Sequence, residues 1–120
     1  MSKKIEKIEA FGIAIRRRRI LLTRNEEGAW GLPKVELNGE ENYGNSLGKR
    51  VGVNHHYCVV EDRRQKNKRI IGDVYFITPR HPVGEDSNDT RWFEYGEVHE
   101  RDTSRISYQI IESLRKNRHL

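Results

Sequence analysis

The sequence predicts an α/β protein: a mixed β-sheet layered between helices as an α/β/α sandwich, in a single domain over residues 1–120. Three observations carry this. Short apolar runs alternate with period two, at Phe11, Ile13 and Ile15 and again at Ile70, Gly72, Val74 and Phe76, which is the spacing of strands that bury one face. Ile106, Ile110 and Leu114 recur at every fourth position with Ile111 beside them, the stripe of an amphipathic C-terminal helix. The length, 120 residues, suits one domain built around one core.

The elements run in order along the chain. Phe11, Ile13 and Ile15 share one face and Ala10, Gly12 and Ala14 the other, so this strand is expected to be buried on both sides. Arg16–Arg19 interrupts the apolar run and Ile20–Thr23 resumes it, giving a hairpin with a basic tip. Asn25–Gly28 is a turn cluster. Trp30–Leu32 reads as a short strand that Pro33 stops. Asn38-Gly39 is a tight turn. The spacing predicts a short helix from Asn45 to Val51, with Asn45 or Ser46 as N-cap and Gly52 at the C-terminal cap. Gly48 weakens that helix by about 1 kcal/mol relative to Ala. Val53–Glu61 reads as a strand, Asp62–Lys68 as a charged loop, and Ile70–Thr78 as the clearest strand in the chain. Pro79–Asn88, with two prolines, a glycine and Asp86-Ser87-Asn88, is a loop. Thr90–Tyr95 is a last strand carrying Trp92 and Phe93. Asp102-Thr103-Ser104 opens the final helix with capping residues. Arg115, Lys116 and Arg118 lie where cations suit its dipole.

Composition narrows the function classes. Hydrophobic and charged residues each make up 34% of the chain. Because the apolar residues cluster into periodic runs, wholesale disorder is not expected. Phe11–Ile15 and Val74–Ile77 are the longest apolar stretches and are too short to span a bilayer. No apolar segment comes after the basic Met1-Ser2-Lys3-Lys4, so a secretory signal is not expected. Cys58 is the only cysteine and has no internal disulfide partner. A cytoplasmic location is the expectation. The net charge of +5 favours anionic partners such as nucleotides or nucleic acid.

Trp30-Gly31-Leu32-Pro33-Lys34-Val35-Glu36, then Gly39-Glu40-Glu41 and Gly52-Val53, with Arg91-Trp92-Phe93 ahead of the closing helix, are the most specific residues of the chain. Together they resemble the Nudix (MutT-like) superfamily, whose members cleave nucleoside diphosphates linked to another group. The resemblance implies a Nudix-like α/β/α sandwich with a mixed sheet and a C-terminal amphipathic helix. It also implies a metal-binding box in which an Arg-Glu pair and a Glu-Glu pair share one short helix. Glutamates of that kind hold hard divalent cations through oxygen, which polarise a pyrophosphate and help activate water.

The box of this chain is shortened and degenerate. Glu40 and Gly52 lie twelve residues apart, three fewer than the pattern requires, close to one helical turn. Anchored on Gly52-Val53, the Arg-Glu positions fall on Asn45 and Ser46 and the Glu-Glu positions on Lys49 and Arg50. Anchored on Glu40, they fall on Gly48 and Lys49, then on Gly52 and Val53. Neither register recovers a catalytic carboxylate, so no metal site and no cofactor are expected. The reading is a catalytically impaired Nudix-like domain. It binds a nucleotide, a nucleotide-derived metabolite or RNA, or serves as a regulatory or interaction module with a protein partner. The alternatives are a divergent hydrolase holding Mg²⁺ or Mn²⁺ on Glu36, Glu40 and Glu41, and a structural subunit.

Other candidates rest on charge. Lys49 and Arg50 are positioned to meet phosphate, a guanidinium in bidentate fashion and a lysine as a point charge. Arg16, Arg17, Arg18 and Arg19 form the densest basic run, a candidate nucleic-acid patch, with a second basic stretch over Asp62–Arg69. No aromatic platform is interleaved with these residues in the sequence. His55 and His56 are adjacent on a strand, so they are expected to point to opposite faces and not to share a metal. Cys58 is expected as a small core residue. His81, Glu97 and His99 are loop candidates for a displaced catalytic base.

Overall fold

The computed structural model describes residues 5–65, 68–80 and 89–120. Nine strands and one α-helix are seen among them: β1 Ile5–Ile13, β2 Ile15–Arg16, β3 Arg19–Arg24, β4 Trp30–Gly31, β5 Val35–Asn38, β6 Glu41–Gly44, β7 Lys49–Gln65, β8 Lys68–Pro79, β9 Thr90–Glu94 and α1 Arg105–Lys116. Two single-turn 3-10 helices, Tyr95–Glu97 and Glu100–Asp102, lead from β9 to α1. The expected class is present, an α/β fold with a mixed sheet and a C-terminal amphipathic helix.

Two sheets share the core. The larger has the order β1-β8-β7-β6-β5, with β1 parallel to β8 and the remaining pairs antiparallel. In the smaller, β9 lines β3 from Arg19 to Thr23, while β2 and β4 also pair with β3. Beyond β5 the larger sheet curls back on itself, because Lys34 bridges to Phe11 of β1 and the Gly12 N–H donates to the Pro33 carbonyl at 2.8 Å.

The alternation read in β1 holds on both faces. Phe11 and Ile13 pack under α1 with Ile20, Leu22, Val74, Phe93, Ile106, Ile110, Ile111 and Leu114. Ala14 joins Leu21, Val35, Val51 and Ile77 in a second cluster, with Ala10, Leu47 and Trp92 at its margin. This second cluster is roofed by the β5–β6 hairpin and Leu47.

Three expectations are corrected. No helix forms over Asn45–Val51: 45–48 is a turn and Lys49 starts β7. The seven residues are too few to nucleate a helix on their own. Gly48 adopts φ +63, a left-handed conformation that closes a turn and ends a helix. Second, Asp62 does not open a loop. β7 runs on to Gln65 and β8 starts at Lys68, with Gln65 paired to Lys68; backbone pairing extends a ribbon whatever its side chains carry. Third, Trp30–Gly31 and Thr90–Glu94 end one residue short of the expected Leu32 and Tyr95. The expected loop Pro79–Asn88, with His81, lies outside the described residues apart from its first two positions.

Candidate functional site

The Trp-Gly-Leu-Pro segment works as a fastener. The Trp30 carbonyl accepts the Ser104 N–H at 2.7 Å, and the Leu32 N–H donates to Ser107 Oγ at 3.0 Å. A Cβ on Gly31 would lie 3.0 Å from Ser104 Oγ and 3.1 Å from Ser107 Oγ, so this glycine allows the close approach of α1. Pro33, which has no N–H to satisfy, is buried and gives its carbonyl to β1. The motif therefore joins α1, β4 and β1.

Two successive hairpins come after this motif. Asn38 pairs with Glu41, leaving Gly39-Glu40 as a two-residue turn with Gly39 at φ +55, one residue on from the turn expected at Asn38-Gly39. After β6, the Gly44 carbonyl accepts the N–H groups of Leu47 and Gly48, and β7 returns with Lys49 opposite Gly44 and Arg50 opposite Tyr43. Lys34 N–H donates to Ser46 Oγ at 2.9 Å and ties the turn to the start of β5.

This geometry decides what the box residues can do. Glu36 is exposed on β5, across from Tyr43, and Glu40 is exposed in the turn. Glu41 forms an ion pair with Arg50 and accepts the Tyr43 hydroxyl at 3.0 Å. The Tyr43 hydrogen bond, and then Arg50, hold the Glu41 carboxyl below the usual range. Among the described residues no group of three or more His, Cys, Asp or Glu is gathered as metal ligands would be. The donor set here does not fit a hard divalent cation, because Glu41 is engaged and Glu36 and Glu40 stand apart from it on a strand and a turn. Lys49 and Arg50 stand on a strand and not at a helix end, so their side chains point to opposite faces and do not converge.

A polar cluster that sequence spacing does not reveal lies on the sheet face away from α1. His56 Nε2 sits 2.5 Å from Asp73 Oδ1, and the Tyr75 hydroxyl donates to Asp73 Oδ2 at 2.7 Å. That bond, with some burial, pushes the Tyr75 hydroxyl up. The alternation of β8 already places Asp73 and Tyr75 opposite Val74 and Phe76; only the cross-strand register brings His56 to them. His55 stacks on Phe76, 4.7 Å between centroids, so the two histidines part as a strand requires. A second grouping is equally hidden in the sequence: Arg24 and Arg91 lie 5.4 and 5.6 Å from the centre of the Trp30 ring, which meets Phe93 edge-on.

The remaining candidates have structural settings. Burial, and then Asp73, push the Cys58 thiol up, against a reactive thiolate. Glu97 accepts the Glu94 N–H at 3.0 Å, and the His99 carbonyl accepts the Thr103 hydroxyl at 2.7 Å. Phe93 is in the core, and the Tyr95 hydroxyl donates to Glu112 at 2.5 Å. Arg16–Arg19 is exposed at the β2–β3 tip.

The fold is shared with solved Nudix proteins. The chain is similar to a MutT Nudix hydrolase from Burkholderia pseudomallei, with a TM-score of 0.60 and 19% identity over 91% of this chain and 98% of that one. It is similar to the E. coli ORF135 protein, with a TM-score of 0.66 and 15% identity over 98% and 95%. A third likeness is to a Nudix hydrolase from Nitrosomonas europaea, with a TM-score of 0.61 and 18% identity over 94% and 72%. No protein-family model matches the sequence, and no curated protein matches it. The chain thus has a Nudix-like, MutT-like fold. Among the described residues no helix is long and apolar enough to cross a membrane.

Proposed function

We propose that this Nudix-fold domain binds a phosphate-bearing nucleotide ligand, a nucleotide-derived metabolite or RNA, without metal-dependent turnover. One observation carries the reading: the segment whose sequence resembles the catalytic box is a pair of hairpins in which Arg50 forms an ion pair with Glu41. A cation set against the nearest carboxylate opposes Mg²⁺ there and leaves an anionic ligand to be met by the basic surplus elsewhere. Binding of this kind would suit a regulatory or interaction module.

The test is a panel of nucleoside diphosphate derivatives offered with and without Mg²⁺ or Mn²⁺. Ligand-dependent rises in melting temperature with no released phosphate or nucleoside monophosphate support binding. Metal-dependent release would establish the hydrolase alternative, favoured by the names of the similar structures, with Glu36 and Glu40 as its remaining free carboxylates. Neither shift nor release would leave a structural subunit.

A further inference from the structure

The tip of the first hairpin breaks two local rules at once. Arg17 and Arg18 are the central residues of a two-residue turn, with φ angles of 51° and 62°. Positive φ at both is the mark of a type I′ turn, where Asn-Gly fits with least strain and a long L side chain meets a steric penalty. Arg16 and Arg19 stand directly opposite each other, and like charges so placed repel. All four side chains are exposed. Among the described residues their one ion pair is Arg19 with Glu94, 3.4 Å apart with 54% and 61% of the side chains exposed, a weak contact in salt.

Backbone strain and broken local consistency concentrate where function requires them. Here they place four guanidinium groups on one turn against a single carboxylate. The tip extends only two residues past the last β3–β9 pair, Arg19 with Glu94, and carries no aromatic side chain. With no aromatic side chain it offers no platform for stacking bases, and its guanidinium groups suit backbone oxygens.

We propose that the Arg16–Arg19 tip is a nucleic-acid contact that holds successive phosphodiesters of a single RNA strand without sequence preference. This rests on the binding reading above and names RNA as the partner. The test is fluorescence anisotropy of a mixed-sequence single-stranded RNA, as a function of salt, on three proteins: the wild type, R17N/R18G and R17Q/R18Q. The first variant removes both charges and supplies the residues that the turn favours; the second removes the charges and keeps the strain. R17N/R18G is expected to melt higher by about 5 °C and to bind RNA about tenfold more weakly at moderate salt. The slope of log affinity against log salt should fall in both variants by about 1.4, the effect of two phosphate contacts on a single strand.

Unchanged RNA affinity in either folded variant overturns the proposal, as does a wild type that shows no binding at low salt. Nucleotide-dependent melting shifts measured beside it keep the two readings apart. A protein that binds nucleotides but not RNA refutes the tip and leaves the binding reading standing. One that turns nucleotides over with metal, yet loses RNA with the tip, does the reverse.

Discussion

Arg50 closes on Glu41 across the β6–β7 hairpin, in the stretch that the sequence likeness assigns to a metal-binding helix. The Tyr43 hydroxyl completes the arrangement at 3.0 Å. A carboxylate with a phenol and a guanidinium on its two oxygens is held ionised, and its folded pKa lies below the ordinary value. Both Y43F and R50Q should raise it, since the Tyr43 hydrogen bond is the largest single cause and Arg50 adds a hydrogen bond and its charge. Carboxyl carbon NMR titration of Glu41 reads this directly. A value unmoved by either substitution would mean that the pair does not persist in solution.

Gly12 and Gly72 hold the sheet close to its two layers. A Cβ on Gly12 would lie 2.5 Å from Ile77 Cδ1 and 2.9 Å from Val35 Cγ2; on Gly72, 2.8 Å from Val60 Cγ2 and 3.0 Å from Ile106 Cδ1. Ile77 and Val35 are themselves buried, so they have little room to retreat. Overpacking of this kind costs about 1–3 kcal/mol. G12A and G72A should each lower the urea midpoint without changing the slope of the transition. Wild-type midpoints would show that neither layer packs this tightly.

Much of this was legible in the sequence, for reasons that differ by element. Phe11, Ile13, Val74 and the Ile106–Leu114 stripe announce themselves by period, because burial of one face imposes it. Gly39 announces its turn because glycine reaches a positive φ without strain, although the two central residues are Gly39-Glu40, one place on from the expected Asn38-Gly39. The Asn45–Val51 segment misleads because its caps and spacing suit a helix, while the outcome is set by Gly48 and by pairing of Lys49 and Arg50 with β6, a tertiary effect. For the same reason Arg50 reads as free in the sequence: its partner Glu41 is near along the chain, but only the hairpin register makes them neighbours. His56 and Asp73 are seventeen residues apart, and a register interrupted near Val53 and His56 cannot be counted out from spacing.

Ser107 is a buried hydroxyl with a single assignable task. It is 1% exposed and accepts the Leu32 N–H at 3.0 Å. S107A keeps the helix, since alanine is the better helix former, and leaves the Leu32 N–H buried without an acceptor. The expected loss is about 1–3 kcal/mol. It should appear in denaturant unfolding together with faster amide exchange at Leu32. Equal or higher stability would show that the N–H finds another acceptor and that the Trp30–Pro33 segment is fastened chiefly by the Ser104 and Gly12 bonds.

Glu9 gives the fold an acid-side dependence whose sign can be reversed. Its carboxylate lies 2.9 Å from Lys7 Nζ and 3.3 Å from Lys34 Nζ. Burial is the largest single influence and raises its pKa, but the hydrogen bond from Lys7 and the charges of both lysines together outweigh it, and the net shift is downward. A lowered folded pKa contributes stability above the unfolded value, about 4.3, and that contribution is lost as pH falls through the folded pKa. In K7M/K34M only burial remains, so the folded pKa should move above the unfolded one. This carboxyl then favours the protonated native state, and its contribution grows as pH falls through that raised value. Stability curves of both proteins between about pH 3 and 6 should therefore differ in slope. Because Glu9 is only partly buried the difference will be modest, within the range of about 0–1 kcal/mol typical of exposed pairs. Parallel curves would show that Lys7 and Lys34 do not hold the carboxylate.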